Sequence, residues 1–269
     1  LADAPRPVGL VPTMGALHDG HLALVAAARE SCRTVVVSLF VNPAQFNEQS
    51  DLVGYPRDEE RDAQLAAGAG ADLLFAPGVD EVYPPGFATT VRVAGITEPL
   101  EGAQRGTAHF DGVATVVTKL FNMVGPDVAF FGQKDAQQAA VIRRFVTDLN
   151  IPVQVEIVPT VREPDGLALS SRNVHLHGDD RARALALSTA LKAAEQAVAT
   201  GARDPAQIRA TALSAMHDFG VEPEYLELVS PETLTPVTDI DDEVLVAVAA
   251  RVGSTRLIDN TLIQANGSS

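Results

Sequence analysis

The sequence predicts an α/β fold, in which a doubly wound, Rossmann-like parallel sheet is followed by a smaller α+β domain. The first half of the chain alternates short apolar runs rich in β-branched residues with segments of helical periodicity. Those runs lack apolar–polar alternation, as expected for a sheet that helices cover on both faces. The pattern changes after Pro164, Asp165 and Gly166, where alanine-rich helical segments and a separate group of strands follow.

Length and composition fit two domains. The chain has 269 residues, of which 46% are hydrophobic and 20% are charged, so it can bury a sizeable core and is not disordered as a whole. We place the larger domain at residues 1–160 and the smaller domain at residues 161–269, a size within the usual range for domains.

The predicted strands of the larger domain are five short apolar runs. In chain order they are Val8–Val11, Thr34–Val41, Asp72–Ala76, Val128–Gly132 and Val153–Val158. The clearest helix precedes the fourth strand, because apolar residues recur there on one helical face, at Val113, Val116, Val117, Leu120, Phe121 and Val124. A second buried helical face follows that strand, at Ile142, Phe145, Val146 and Leu149.

The smaller domain is predicted to contain two helices and three strands. The helices cover residues 179–199 and 204–218, where alanine and leucine repeat at helical spacing. The strands cover Tyr225–Val229, Glu243–Arg251 and Arg256–Gln264.

The charge of the chain excludes one class of partner. Its 20 Lys and Arg against 35 Asp and Glu give a net charge of −15, which opposes binding to nucleic acid or anionic lipid. No apolar run approaches the roughly 18 to 20 residues that span a bilayer. The single cysteine, Cys32, cannot form an intrachain disulfide. We therefore expect a cytoplasmic protein that binds neither nucleic acid nor membrane.

The most informative segment, Pro12–His21, lies between the first predicted strand and a helix. In a parallel sheet this is the carboxyl edge, where ligands bind and a helix amino terminus offers N–H groups to phosphate. Gly15 and Gly20 allow a ligand to approach the backbone. His18 and His21 are three residues apart, so both imidazoles can point to one side and donate to phosphate. A zinc site fits less well, because no cluster of further ligands is near.

A second segment, Gly132–Gln138, also joins a predicted strand to a helix. Lys134 can neutralise a phosphate, and Asp135 can cap the helix or accept a hydrogen bond from a ribose hydroxyl. Gln138 lies one turn into the helix, where its amide could face the same cleft. Taken alone, this segment is explained about equally well as the solvent-exposed start of a helix without a role in binding.

Two more segments add polar groups. Leu169–Arg172 contains two hydroxyls and a guanidinium, which together suit an oxyanion. Asn42–Phe46 follows the second strand and supplies amide groups to the same sheet edge, although alone it is typical of a polar turn.

Together these segments resemble one family, the pantothenate synthetases, also called pantoate–beta-alanine ligases. The matching stretches, in family order, are VPTMGALHDGH (11–21), FVNPAQF (40–46), YPR (55–57), LEGAQR and HFDGVATVV (within 100–117), FFGQKDAQQ (130–138) and DGLALSSRN (165–173). The resemblance implies the superfamily of nucleotidylyltransferases and class I aminoacyl-tRNA synthetases. His18–His21 is similar to its HIGH-type motif, and Ser170–Arg172 to its mobile KMSKS-type loop.

The resemblance also implies a reaction. Pantoate and ATP would give pantoyl adenylate and pyrophosphate, and beta-alanine would then displace AMP to form pantothenate. Magnesium dependence and homodimerisation are implied likewise. A simple nucleotidylyltransferase that forms no amide, and a catalytically idle nucleotide-binding regulator, remain as alternatives. The second is suggested by Gln133 and Ala136, which replace a glutamate and an aromatic residue of the family pattern.

Site residues follow from the same resemblance. It assigns ATP binding to three groups: Met14, Gly15, Ala16, Leu17, His18, Asp19, Gly20 and His21; Gly132, Gln133, Lys134 and Asp135; and Val161, Leu169, Ser170, Ser171 and Arg172. The residues expected to act on the reacting groups are His18, His21, Lys134, Ser170, Ser171 and Arg172. Gln45 and Gln138 would hold pantoate, with beta-alanine entering near Gln45. No metal ligand is assigned, since Asp62 is predicted to be a solvated helix acid rather than a magnesium neighbour.

Overall fold

The computed structural model describes residues 3–46 and 49–265. The chain divides into two compact units. The first unit contains the described residues up to Gln133 together with Gln137–Pro159, and the second contains Lys134–Ala136 together with the described residues from Thr160 onward. Each unit has its own buried apolar core. No helix in the described parts of the chain is long and apolar enough to cross a membrane.

The first unit is built on a parallel sheet of five strands. They are β1 (Val8–Thr13), β2 (Thr34–Leu39), β3 (Leu73–Phe75), β4 (Val128–Gly132) and β5 (Gln154–Val158), in the order β3-β2-β1-β4-β5. The order reverses between β1 and β4, and ligands bind at the carboxyl ends of strands flanking such a switch point. The predicted doubly wound sheet is confirmed.

Seven helices connect and cover these strands in the described residues: α1 (Asp19–Ser31), α2 (Gln49–Gly54), α3 (Glu59–Gly68), α4 (Val79–Val82), α5 (Glu101–Arg105), α6 (Thr107–Val124) and α7 (Ala136–Asp148). Apolar side chains of α6 and α7 pack on one face of the sheet. Those of α1 and α3 pack on the other face, where they also bury Cys32. Burial on both faces explains why the strands show no alternation in the sequence.

The second unit contains, within its described residues, an antiparallel sheet of three strands and three helices. The strands are β6 (Pro223–Val229), β7 (Glu243–Val252) and β8 (Thr255–Gln264), in the order β6-β7-β8. The helices are α8 (Asp179–Arg183), α9 (Leu185–Ala199) and α10 (Pro205–His217). The predicted smaller α+β arrangement is confirmed.

Several predicted boundaries differ from those of the structure, and Leu149, predicted on a buried helical face, follows the end of α7 and is 52% exposed. Two of the boundary differences have a clear cause. The second strand ends at Leu39 rather than Val41, because Asn42 caps a 3₁₀ turn at Pro43–Gln45 and so ends the extended backbone. The single helix predicted over residues 179–199 is interrupted between α8 and α9. Ala184 has φ −61° and ψ −21° there, closer to 3₁₀ than to α-helical geometry.

Candidate active site

A turn with unusual backbone angles joins β1 to α1. Gly15 and Ala16 have φ of 86° and 52°, and the left-handed region costs roughly 1–2 kcal/mol for a residue with a side chain. A Cβ on Gly15 would lie 3.0 Å from Oδ2 of Asp62. The turn therefore needs glycine at its first position and an anchor that holds Ala16 in place.

That anchor is the carboxylate of Asp62, in the first turn of α3. Its Oδ2 accepts the N–H of Ala16 at 2.7 Å, and its Oδ1 accepts the N–H of Leu17 at 2.8 Å. The side chain is 2% exposed, and Arg61 lies 3.4 Å from Oδ1. Hydrogen bonds to an ionised acceptor are stronger than neutral ones, so Asp62 fixes the backbone that carries the predicted ATP-binding loop.

The sequence prediction that Asp62 is a solvated helix acid is therefore wrong. Three of the first four residues of α3 are acidic, at Glu59, Glu60 and Asp62, a pattern that complements the helix dipole on an exposed surface. Only the fold brings the loop of Ala16 and Leu17 over the last of these acids.

The two histidines of the loop lie side by side at the start of α1. Their ring centroids are 4.1 Å apart, as expected from their spacing. His18 is the N-cap, and its Nδ1 accepts the N–H of Gly20 at 3.1 Å. The Nδ1 of His21 accepts the N–H of His18 at 3.4 Å. Since Nδ1 is the acceptor in both rings, each neutral imidazole carries its proton on Nε2.

The choice of histidine at this cap favours a functional role. Ser, Thr, Asp and Asn are the preferred N-caps, and any of them could accept the N–H of Gly20. An imidazole adds an Nε2–H donor next to the amino terminus of α1, where N–H groups and the positive end of the helix dipole suit phosphate. Asp19 is exposed at the same helix start.

Gln45 is held at the end of the Pro43–Gln45 turn by several contacts. Its Oε1 accepts from Nδ2 of Asn42 at 3.0 Å, and its Nε2 lies 3.0 Å from the sulfur of Met14. Its carbonyl oxygen lies 2.8 Å from Nδ1 of His109. The amide of Gln45 thus has a defined orientation beside the loop that follows β1.

Asn42 organises this corner and is 1% exposed. Its Oδ1 accepts from the hydroxyl of Tyr83 at 2.8 Å, and its Nδ2 also donates to the carbonyl of Gly112 at 3.1 Å. Burial raises the pKa of Tyr83 to about 12, so the phenol stays a donor at neutral pH. A Cβ on Gly112 would lie 2.3 Å from the carbonyl oxygen of Ala44, which explains the glycine in α6.

Sequence reasoning missed the roles of Asn42, Tyr83, His109 and Gly112. His109 and Gly112 lie in the HFDGVATVV stretch, and Asn42 lies in FVNPAQF. The motifs therefore indicated the segments but not the contacts between them. Tyr83 lies outside every matched stretch, and its hydrogen bond to a side chain 41 residues away leaves no local signal.

The glutamines at the start of α7 differ in role. Gln137 is buried, accepts the N–H of Glu101 at 2.9 Å and donates to the carbonyls of Ile96 and Pro99 at 2.8 Å each. It therefore anchors the segment before α5. Gln138, the predicted pantoate ligand, is partly exposed, as are Gly132 and Gln133 at the end of β4.

In the second unit, a small cavity brings together residues from distant parts of the chain. Its lining includes Lys134, Ser170, Arg172, Arg256 and Asp259. Nζ of Lys134 lies 3.6 Å from Oδ1 of the exposed Asp135. Three of the residues predicted to act on the reacting groups thus share one cavity.

A short hairpin precedes the Ser170–Arg172 segment. The N–H of Leu169 donates to the carbonyl of Val161 at 2.9 Å, and Arg162 pairs with Ala168 in the antiparallel sense. Ser170 then caps a 3₁₀ helix, because its Oγ accepts the N–H of Arg172 at 3.3 Å. This cap leaves the hydroxyl proton of Ser170 able to donate, and the side chain of Arg172 is exposed.

The hairpin is tied to β8 by an ion pair. Nη1 and Nη2 of Arg162 lie 2.6 Å and 2.9 Å from the two carboxylate oxygens of Asp259. Burial raises the pKa of the Asp259 carboxyl, and the guanidinium of Arg162 and the charge of Lys134 oppose that rise. The bidentate geometry is the strong form of such a pair.

No preformed metal cage is found within the described residues, where no three His, Cys, Asp or Glu side chains cluster suitably. Both oxygens of Asp62 already accept backbone N–H groups. Magnesium is commonly held by one or two carboxylates, substrate phosphates and water, so an ion that enters with a nucleotide does not require a cage of protein ligands.

The chain is similar to known proteins over nearly its whole length. The profile of a family described as pantoate-beta-alanine ligase matches residues 2–262. The pantothenate synthetase of Moorella thermoacetica is 51% identical over 262 residues, which cover 96% of this chain and 92% of that relative.

Solved structures show the same relationship. The crystal structure of pantothenate synthetase from Thermus thermophilus is 50% identical, with a TM-score of 0.92 and coverage of 97% of this chain and 95% of that one. A pantoate-beta-alanine ligase from Francisella tularensis, complexed with beta-gamma ATP and beta-alanine, is 33% identical. Its TM-score is 0.77, with coverage of 95% of this chain and 89% of that one.

Proposed function

Because this chain belongs to the pantoate-beta-alanine ligase family, we propose that it condenses pantoate with beta-alanine at the expense of ATP. The products are pantothenate, AMP and pyrophosphate. The observation that carries this proposal is the family match over residues 2–262. The paired imidazoles at the amino terminus of α1 support it independently, because they supply the donors that phosphate chemistry needs.

In the first step, a carboxylate oxygen of pantoate attacks the α-phosphorus of ATP, and pyrophosphate leaves. Both reactants are anions, so the site has to offset their repulsion with donors that are already in place. We assign this role to the Nε2–H groups of His18 and His21 and to the amino terminus of α1. The segment Met14–Leu17, anchored by Asp62, supplies the backbone that contacts ATP.

The resemblance to the family adds further donors to this proposal. Lys134, Ser170, Ser171 and Arg172 neutralise and hydrogen bond the phosphates as negative charge develops on the leaving pyrophosphate. The remaining predicted ligands bind the nucleotide itself, with Asp135 on the ribose, Val161 on the adenine, and Gly132, Gln133 and Leu169 along the backbone of the site.

Gln45 and Gln138 bind pantoate in this proposal. The amide of Gln45 is oriented before substrate arrives, by Asn42 on one side and Met14 on the other. Such preorganisation lowers the entropic cost of placing the carboxylate near the α-phosphate. In the second step the amine of beta-alanine attacks the acyl carbon, loses a proton and displaces AMP.

We also propose that the enzyme uses magnesium, works as a homodimer and is cytoplasmic. Bound magnesium would neutralise phosphate charge and orient the leaving pyrophosphate. We further propose that residues 1–160 form the ATP- and pantoate-binding domain and residues 161–269 the smaller domain. Magnesium use and the homodimer rest on the resemblance to the family, whereas the cytoplasmic location and the domain bounds rest on the composition and the pattern of the sequence.

The proposal predicts strict dependence of AMP formation on both substrates. Purified protein with ATP, pantoate and beta-alanine should release AMP and pyrophosphate in equal amounts with pantothenate, as measured by chromatography and mass spectrometry. Leaving out beta-alanine should stop turnover. Release of ADP would contradict the proposal, and AMP transfer without an amide would indicate a simple nucleotidylyltransferase. Absence of turnover would favour the idle regulator suggested by Gln133 and Ala136.

A further inference from the structure

Two adjacent polar residues in β8 are buried although they lie far in sequence from every predicted site residue. Asp259 and Asn260 are 3% and 4% exposed, and consecutive residues of a strand point to opposite faces. A buried polar group costs free energy unless it is hydrogen bonded. The partners of these two side chains therefore indicate what they do.

Asn260 contacts the segment of Lys134. Its Nδ2 donates to the carbonyl oxygen of Lys134 at 2.9 Å, across 126 residues of sequence. Lys134 lies in the chain between β4 and α7, yet Lys134–Ala136 form part of the second compact unit. This hydrogen bond fixes the backbone from which the ammonium group of Lys134 extends.

The backbone N–H and carbonyl groups of Asn260 are both hydrogen bonded to side chains. Its N–H donates to Oδ1 of Asp259 at 2.8 Å, and its carbonyl oxygen accepts from Nη2 of Arg162 at 3.4 Å. Arg162 also donates to the carbonyl of Gly166 at 3.1 Å, so the same guanidinium closes the hairpin that leads to Ser170. Asn260 thus lies at the end of a rigid, charge-assisted network.

We propose that Asn260 is a positioning residue for adenylate formation, which places the ammonium group of Lys134 and is braced by the Arg162–Asp259 pair. This inference rests on the proposed function, because it requires Lys134 to contact ATP. Asn260 does not touch the substrate itself. Asn260 acts through Lys134, so the effect of replacing Asn260 should depend on Lys134. A residue that only stabilises the sheet would show no such dependence.

The test is a double-mutant cycle on pantoate-dependent exchange of labelled pyrophosphate into ATP. Loss of a single hydrogen bond that positions a charged group should lower the exchange rate by about tenfold in Asn260→Ala. Asn260→Asp, which keeps the shape but removes the donor, should lose at least as much. The same Asn260→Ala change should have less than about a twofold effect in a Lys134→Met background, because coupled residues are not additive.

Controls separate this role from a structural one. Asn122→Ala, at an exposed asparagine of α6, should leave the exchange rate unchanged. KM for pantoate should not change in Asn260→Ala, since Gln45 and Gln138 are untouched. Equal losses in the wild-type and Lys134→Met backgrounds, or no loss in Asn260→Ala, would overturn the proposal. Failure of the wild-type protein to catalyse any exchange would instead overturn the proposed function.

Discussion

Replacement of His21 by alanine should reduce pantoate-dependent AMP formation by about 10²-fold to 10³-fold, the usual cost of removing one preorganised donor. The Nε2–H of His21 and its Nδ1 acceptor for the His18 N–H are lost, whereas the N-cap contact from Gly20 to His18 remains. The loss should appear in kcat more than in KM for ATP, because a donor to developing charge acts mainly in the transition state. Steady-state kinetics of the purified variant measure kcat and KM, and circular dichroism checks that the variant is folded.

A matched control for His21→Ala is His177→Ala, which removes an exposed imidazole from the second unit. It should retain wild-type kinetics. If His21→Ala kept full activity while folded, His21 would have no part in the chemistry.

Replacement of Asp62 by alanine should reduce kcat/KM for ATP by about 10²-fold, because two hydrogen bonds to a charged acceptor are worth roughly 1.5–3 kcal/mol each. The N–H groups of Ala16 and Leu17 would lose their acceptor, and the left-handed Ala16 would relax. Asp62→Asn should lose less, since one oxygen remains. Thermal unfolding of the same variants separates the loss of stability from the loss of activity.

Glu60→Ala is the control for Asp62, because Glu60 is an exposed acid of the same helical turn. Its kinetics should match those of the wild type. Unchanged kcat/KM for ATP in both Asp62 variants would show that the loop after β1 does not need this anchor.

The strands and the main functional segments could be predicted from the sequence because their signals are local. An apolar run of five residues indicates a buried strand, and the segments that matter for ATP follow directly in the chain. The spacing of His18 and His21 sufficed to place both rings together, since three residues make nearly one helical turn.

The groups that hold those segments could not be predicted, because their partners are distant. Asp62 lies 46 residues from Ala16, and Asn260 lies 126 residues from Lys134. An acid in the first turn of a helix and an asparagine in a strand have many ordinary explanations. Only the tertiary fold shows that one closes a strained turn and the other supports a lysine.

Transfer of oxygen from pantoate to AMP decides whether the site forms an acyl adenylate. Pantoate labelled with oxygen-18 in its carboxylate should give AMP that carries one labelled oxygen, because the carboxylate oxygen stays on phosphorus when the amine displaces AMP. Mass spectrometry of AMP from a complete reaction measures its oxygen-18 content. Unlabelled AMP, formed together with pantothenate, would contradict attack of pantoate on the α-phosphate at the histidine pair.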